Sequence, residues 1–333
     1  MTPILEVEDL VVEIRRHRRT FRAVNGVSFS LERGGALAIV GESGSGKSLT
    51  LRAIMGLLPN SGRVASGRVL IAGTELDPAA QGHGRGHHQA ERMSIIFQDA
   101  LSALNPVASV GHQIAEAPRH VLGLSRRAAK HRALELLRQV GIPDPGRRYG
   151  SYPHELSGGT RQRVMIAIAL SSDPSILLCD EPTTALDVTI QTQILALLAD
   201  LRSERGLSLV FVTHDLGVVG QVAEELAVMY TGRFVETGPT SAVLDAPRHP
   251  YTAGLLAAAL DVDTPDREPL VIPGSLPDPF QLPSGCTFHP RCELATPECV
   301  TTEVALEPVG PGRRTACLHS ELLAALQDVA SRG

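Results

Sequence analysis

Residues 41–48 read Gly41-Glu42-Ser43-Gly44-Ser45-Gly46-Lys47-Ser48 and satisfy every fixed position of the pattern G-x-x-x-x-G-K-[ST]. Such a loop constrains the fold because it works only between a strand and a helix. Both flanks fit: Ala36-Leu37-Ala38-Ile39-Val40 is a short apolar run of strand type, and Leu49 to Leu58 reads as the start of a helix. The glycines Gly41, Gly44 and Gly46 let the backbone curl so that successive N–H groups, those of Ser43 and Ser45 included, point at phosphate oxygens. The helix entered at Leu49 adds its positive N-terminal end. Lys47 can reach the β- and γ-phosphates, and the Ser48 hydroxyl can ligate Mg²⁺. The bland alternative is a Gly/Ser-rich turn. The strand and helix on either side favour a site for a nucleoside triphosphate with Mg²⁺.

The remaining composition narrows the class. A chain of 333 residues predicts one large domain or two. Aromatics make up only 3% with no Trp, so Ala, Val, Ile and Leu must build the core. Net charge is −5, and no basic tail or interleaved aromatic run is present, which argues against a nucleic-acid partner. No apolar run approaches the ~20 residues that span a bilayer. The segment Met1-Thr2-Pro3-Ile4-Leu5-Glu6 lacks a basic stretch followed by an apolar one, so the expected location is cytosolic, with any membrane role exercised through a partner.

Strands are expected over 4–12, 23–31, 69–73, 175–179 and 208–212, and helices over 110–140, 156–170 and 190–201. Strands alternating with helices imply a mostly parallel sheet with helices on its faces. Residues 78–90, rich in Gly, His and Ala, read as a loop. Its His83, His87 and His88 lack accompanying Cys or carboxylate ligands, which favours a solvated loop over a metal site. Proline and glycine become frequent from residue 262, so a boundary is placed there. The run Ile176-Leu177-Leu178-Cys179-Asp180-Glu181 is an apolar strand ending in two carboxylates. Asp180 is expected to hold Mg²⁺, and Glu181 to polarise the attacking water as a general base. Cys179, inside the strand, is expected in the core.

With these residues in view the chain resembles the ATP-binding cassette (ABC) ATPases. Leu156-Ser157-Gly158-Gly159-Thr160-Arg161-Gln162-Arg163 is similar to the family's signature motif, and lies upstream of Asp180-Glu181 as in that family. Gln98 in Ile96-Phe97-Gln98-Asp99 matches the Q-loop, Thr184-Ala185-Leu186-Asp187 the D-loop, and His214 the switch histidine, all in the family's order. The resemblance implies a P-loop cassette of α/β class with a RecA-like core, an antiparallel β part and a helical subdomain at about 99–170. The cassette would span 1–261, followed by a small loop-rich, Cys-containing extension over 262–333. It also implies that two cassettes stack head to tail around ATP, with Ser157, Gly158 and Gly159 capping the γ-phosphate of ATP on the partner. Gln98 would touch Mg²⁺ and sense the γ-phosphate, His214 would hold the γ-phosphate and water in line, and Asp187 would bridge the cassettes. Thr160 departs from the commonest form, which has Gln there, at a position flanking the contact. An aromatic ring upstream of the loop stacks on adenine in that family, and Phe21 is the candidate. It follows a strongly basic stretch that disfavours burial.

Three further stretches resemble one importer group: Leu101-Ser102-Ala103-Leu104-Asn105-Pro106, Arg248-His249-Pro250-Tyr251-Thr252, and Gly285-Cys286-Thr287-Phe288-His289-Pro290-Arg291-Cys292. They are similar to ATPase subunits of oligopeptide/dipeptide-type ABC importers, a group that includes nickel importers. The resemblance implies a second cassette subunit, more often a different chain, two membrane permeases and an extracytoplasmic binding protein. It places the chain peripherally on the cytoplasmic face of the membrane. The alternatives, a non-transport cassette ATPase or a non-hydrolysing switch, fit less well. The first usually carries a coiled-coil insertion or two cassettes, and the second would lack Glu181 or His214.

Four of the five cysteines, Cys286, Cys292, Cys299 and Cys317, lie in the tail with spacings x5, x6 and x17. No C-x-x-C pair occurs, so the usual zinc-ribbon pattern is absent. Three readings stay open: an iron–sulfur cluster, structural zinc, or reduced thiols. In the importer group some members carry a [4Fe-4S] cluster in such a tail.

Overall fold

The computed structural model describes residues 2–76, 93–184, 186–260 and 272–323. The chain divides into two compact units, one of residues 1–31, 36–79 and 212–333, the other of residues 32–35 and 80–211. The histidine-rich loop over 78–90 lies outside the described residues, as do Ala185 and residues 261–271.

The first unit opens with β1 (Leu5–Arg16) and β2 (Arg19–Leu31), paired antiparallel from Leu5↔Leu31 to Arg16↔Arg19. Leu5, Val7, Leu10 and Val12 are buried while many of their neighbours are not, the period-two pattern of a half-buried strand. Both strands run further than their apolar alternation suggests. The exposed basic residues Arg15 to Arg19 continue the ribbon, and His17 and Arg18 turn it at φ 48° and 64°. Two successive positive φ values match the right-handed twist of a hairpin, usually with Asn or Gly. Charged residues on an exposed ribbon carry no apolar signal, which is why the pattern stops short of the turn. β3 (Ala36–Val40) follows, every residue buried, then α1 (Lys47–Ile54), β4 (Gly62–Ile71) and β5 (Thr74–Leu76). β2, β1, β4 and β5 form an antiparallel sheet in that order.

The second unit pairs β6 (Met93–Ile96) parallel to β7 (Ile176–Asp180), with Met93↔Ile176 and Ile96↔Cys179 in register. Between them run α2 (Ala100–Ala103), α3 (Val110–His120), α4 (Arg126–Gln139), α5 (Pro145–Tyr149) and α6 (Gly158–Ser171). The helical stretch over 110–140 is thus two helices. Gly123 at φ 65° breaks it, and the Ser125 hydroxyl caps α4 by accepting the Ala128 N–H at 3.3 Å. Gly111 lets α3 approach Tyr149, since a Cβ there would fall 2.2 Å from that ring. Ile114, Ala133, Leu136, Val164 and Ile166 on these helices are buried. α7 (Val188–Arg205) ends at Gly206, φ 62°, and β8 (Ser208–Thr213) is buried throughout. Cys179 is fully buried, as expected of a core residue, and that burial raises its thiol pKa.

The first unit resumes at residue 212, within β8, and continues with α8 (Val219–Val222), β9 (Glu225–Tyr230), β10 (Arg233–Pro239), α9 (Thr240–Asp245) and α10 (Pro250–Leu260). β9 runs parallel to β3, with Leu37↔Glu225 and Val40↔Val228, and β10 runs antiparallel to β9. The tail contains α11 (Pro297–Thr301) and the strands β11 (Glu307–Gly310) and β12 (Arg313–Thr315). β12 pairs antiparallel with β10 through Glu236↔Thr315, so the tail widens the sheet that carries β3 and β9. Glu236, fully buried, anchors this region. Its carboxylate accepts the N–H groups of Arg248 and His249 at 2.8 and 3.0 Å and an Arg313 guanidinium N–H at 2.8 Å. Tyr230, Tyr251 and Phe288 pack ring on ring with centroids 4.7–5.4 Å apart, so part of the scarce aromatic content is spent where tail meets sheet. Among the described residues no helix is long and apolar enough to cross a membrane.

Candidate nucleotide site

The phosphate loop begins where β3 ends. Gly41 takes φ 153° and Gly46 φ 110°, conformations L side chains rarely adopt. Space also demands glycine, because a Cβ on Gly41 would fall 2.2 Å from the Met229 carbonyl oxygen, and one on Gly46 2.5 Å from that of Ala23. The Ser45 N–H donates to the Glu42 carbonyl at 3.2 Å, and the Gly232 N–H to the Ser45 carbonyl at 2.8 Å, pinning the curl to the turn after β9. Lys47 is 4% exposed, and its ammonium donates to the carbonyls of Gly41 at 2.7 Å and Glu42 at 3.0 Å. The Ser45 hydroxyl is buried without a protein hydrogen-bond partner, an arrangement native proteins avoid unless a ligand or water completes it. Ser48 and Leu49 lie in the first turn of α1, both half-buried.

Phe21 sits in β2 opposite Ile14 and is half-buried. Its ring meets the edge of Phe280 from the tail at 4.9 Å, and the Arg19 guanidinium lies 4.5 Å over Phe280. No sequence pattern pairs residues so far apart, so this second aromatic escaped the sequence reading. In the same unit His214 directly follows β8 and is exposed. Beside it the Thr213 hydroxyl accepts the Asp215 N–H at 3.0 Å.

In the second unit β7 delivers Asp180, 1% exposed, and Glu181, 7% exposed. Glu181 holds φ 47°, costly for a residue with a Cβ and characteristic of functional turns. Its Oε2 accepts the Gln98 side-chain amide at 3.1 Å and the Thr184 hydroxyl at 2.9 Å. Gln98 and Glu181, 83 positions apart, thus meet directly. Thr184 also orients this carboxylate, a role its place in the D-loop pattern did not single out. Acceptance of two donors fixes which way a carboxylate points.

Ser157 caps α6, its hydroxyl accepting the Thr160 N–H at 3.4 Å and lying 2.9 Å from the Thr160 hydroxyl. Ser157 and Gly158 are exposed, so the open N-terminus of a 14-residue helix faces solvent. The D-loop and the first turn of α7 pack beside it: a Cβ on Gly158 would fall 3.8 Å from Leu186, and one on Gly159 2.8 Å from Ile190. Asp187 caps α7 by accepting the Ile190 N–H at 2.9 Å, a structural use of a residue singled out for contact between cassettes.

The four tail cysteines share one lobe. The Cys286 N–H donates to the Cys299 carbonyl at 2.8 Å, and the Cys317 sulfur accepts the His319 N–H at 3.4 Å. Burial raises the thiol pKa values of Cys286 and Cys292 and pushes that of Cys317 up to about 11, with charge on neighbouring cysteines adding to each. Among the described residues no three His, Cys, Asp or Glu side chains are placed to hold a single metal ion. A zinc ion needs its ligands within about 2.3 Å of one point.

Residues 24–184 match the family model of the ABC transporter, and residues 235–299 that of the oligopeptide/dipeptide transporter C-terminal region. The chain is 46% identical, over 97% of its length, to the oligopeptide transport ATP-binding protein OppD of Mycobacterium tuberculosis, and spans about half (53%) of that relative. It is 45% identical to the dipeptide transport ATP-binding protein DppD of Escherichia coli, over 94% of this chain and 96% of that one. Among solved structures, the ATP-binding cassette MJ0796 bound to ADP and Pi superposes with a TM-score of 0.64 at 26% identity, over 71% of this chain and 98% of that one. The fold is the P-loop ABC cassette with its RecA-like core and helical subdomain. With 45% identity along nearly the full length of the dipeptide protein and a matching C-terminal region, the chain belongs to the family of ATP-binding subunits of oligopeptide/dipeptide-type ABC importers.

Proposed function

We propose that this chain binds and hydrolyses Mg-ATP and that the cycle powers uptake of di- or oligopeptides through a membrane importer. The single observation that supports it most is the phosphate loop, where strained glycines, the buried Lys47 ammonium and the partnerless Ser45 hydroxyl converge. Lys47 and the loop amides bind the phosphates, and Ser48, Gln98 and Asp180 attend Mg²⁺. Glu181, aimed by Gln98 and Thr184, takes the proton of the attacking water, and His214 holds the water in line. Phe21 stacks on adenine. Ser157, Gly158 and Gly159 close on ATP held by a second cassette, and Asp187 lies at that junction. Two permeases and an extracytoplasmic binding protein complete the importer, with this chain peripheral on the cytoplasmic face. Purified protein should hydrolyse Mg-ATP, and Glu181→Gln should bind ATP undiminished while losing at least about 100-fold in turnover. Reconstituted with its permeases in liposomes, the ATPase rate should rise when binding protein carrying a dipeptide or oligopeptide is added. Undiminished turnover in Glu181→Gln overturns the base, and indifference to loaded binding protein overturns the peptide cargo.

We further propose that Cys286, Cys292, Cys299 and Cys317 hold a [4Fe-4S] cluster. All four sulfurs are half-buried or buried, burial and neighbouring charge raise the thiol pKa values of Cys286, Cys292 and Cys317, and a cationic metal centre offsets that repulsion. Bound there, the cluster would staple a lobe with little regular structure. Protein purified without oxygen should carry about four irons and four acid-labile sulfides per chain. One zinc without iron, or no metal, overturns the cluster.

A further inference from the structure

The phosphate loop has a partner that no motif announces. Glu42, inside the loop, receives a bidentate pair from Arg291 of the tail, with guanidinium nitrogens 2.7 and 2.9 Å from its two carboxylate oxygens. The Arg291 side chain is 5% exposed and that of Glu42 29%, so this is no solvated surface pair. The same guanidinium donates to the Pro273 carbonyl at 2.7 Å and lies 5.9 Å from the ring centres of both Tyr230 and Phe288. Glu42 is held at three points. Arg291 takes its carboxylate, its N–H donates to the Tyr251 hydroxyl at 2.8 Å, and its carbonyl accepts the Lys47 ammonium at 3.0 Å. Movement of Glu42 therefore reaches the lysine that meets phosphate. Tail and loop touch again where Leu276 lies 4.0 Å from the position of a Cβ on Gly44.

At its other end Arg291 is rooted among the cysteines. It closes the 3₁₀ turn His289–Arg291, which lies between Cys286 and Cys292. The His289 N–H donates to the Cys286 carbonyl at 3.0 Å, and the Cys292 N–H to the His289 carbonyl at 3.2 Å. The backbone that places these two sulfurs also places the guanidinium.

We propose that Arg291 is a positioning residue for the phosphate loop, through which the fold of the cysteine lobe sets the affinity for ATP. The proposal rests on the nucleotide-binding reading above. A planar fork fixes both the place and the orientation of a carboxylate, which an ammonium does not. Lobe and loop are then coupled equilibria, and whatever tightens one tightens the other.

The test uses the full chain and a fluorophore-labelled ATP, with the melting midpoint of each protein measured without nucleotide. Arg291→Ala should weaken ATP binding about tenfold. Its loss of ATPase should lie in KM, with kcat at saturating ATP little changed. Arg291→Lys should fall between Arg291→Ala and the wild type. The exchange E42R/R291E, which restores the pair in reverse, should regain most of the affinity. Arg291→Ala binding ATP as the wild type does, even with a lowered melting midpoint, makes Arg291 mere glue and overturns the proposal. So does an exchange variant that binds no better than Arg291→Ala. Should Arg291→Ala fail to fold, Glu42→Gln decides, because it keeps the shape and loses the charge. Unaltered affinity there overturns the proposal, and a loss of several-fold supports it. A wild-type protein that does not bind ATP overturns the nucleotide-binding reading itself, and this proposal with it.

Discussion

Gly46→Ala offers a quantitative test of the loop geometry, with Gly56→Ala on the same helix as its control. Both glycines hold positive φ, 110° before α1 and 68° after it. An alanine in the left-handed region costs about 1–2 kcal/mol wherever it lies. The surroundings differ. Around Gly56 nothing lies within 4 Å of an added Cβ, whereas at Gly46 the Ala23 carbonyl oxygen would stand at 2.5 Å. Real Cβ contacts do not fall below 3.0 Å, so the loop or β2 must give by about 0.5 Å or more. Overpacking of this kind costs a further ~1–3 kcal/mol. Gly46→Ala should therefore lose about 2–5 kcal/mol against about 1–2 for Gly56→Ala, read from urea unfolding at neutral pH. The displaced atoms are those proposed to meet phosphate, where an ångström is worth about two orders of magnitude. ATP affinity should accordingly fall at least about tenfold in Gly46→Ala and stay unchanged in Gly56→Ala. Equal stability losses and equal ATP affinity in the two variants would refute the reasoning, because the collision and the larger φ at Gly46 both predict a difference.

His249 is fully buried, its Nδ1 accepting the Tyr251 N–H at 3.0 Å, and burial pushes its pKa down from 6.5 to about 3. Between those values the unfolded chain binds a proton that the folded chain refuses, so stability is lost as pH falls from about 6.5 toward 3, by up to ~1.4 kcal/mol per pH unit. His249→Asn keeps an acceptor and should flatten the loss between pH 7 and 5. Glu236, whose pKa burial raises, works in the opposite sense in both proteins and cancels in the comparison. Parallel pH profiles for variant and wild type would remove His249 as the cause. Asp187→Ala should cost about 1 kcal/mol through loss of the α7 cap, while Asp187→Asn keeps the cap and most of that stability. Equal melting midpoints for the two variants would show that the cap contributes little. Iron and sulfide analysis of anaerobically purified protein remains the measurement for the tail, with four of each expected and zinc alone refuting the cluster.

Legibility along the chain followed the range of the interactions. The strand–loop–helix from Ala36 to Ile54 was readable because its cause is local: an apolar run, glycines where φ must be positive, and a lysine at fixed offset. Strand β7 and its terminal Asp180-Glu181 were readable for the same reason. Element ends were less so. The β1–β2 ribbon continues through Arg15 to Arg19 because the turn at His17-Arg18 uses positive φ without the residues that advertise it. The 110–140 stretch split at Gly123, whose φ no periodicity reveals.

What the sequence determined by itself was the family and the class of fold, and it offered the candidate residues for a nucleotide, because motif spacing follows from backbone geometry within a few residues. Only the tertiary structure decided what aims and holds those residues. It set Gln98 and Thr184 on Glu181, laid Phe280 against Phe21, and tied Glu42 to Arg291 across 249 positions. It also paired β12 of the tail with β10. Hydrogen bonds and ring contacts reach only a few ångströms, and their energies depend on which distant segments the fold brings together. A single sequence, read along its length, carries no record of that juxtaposition.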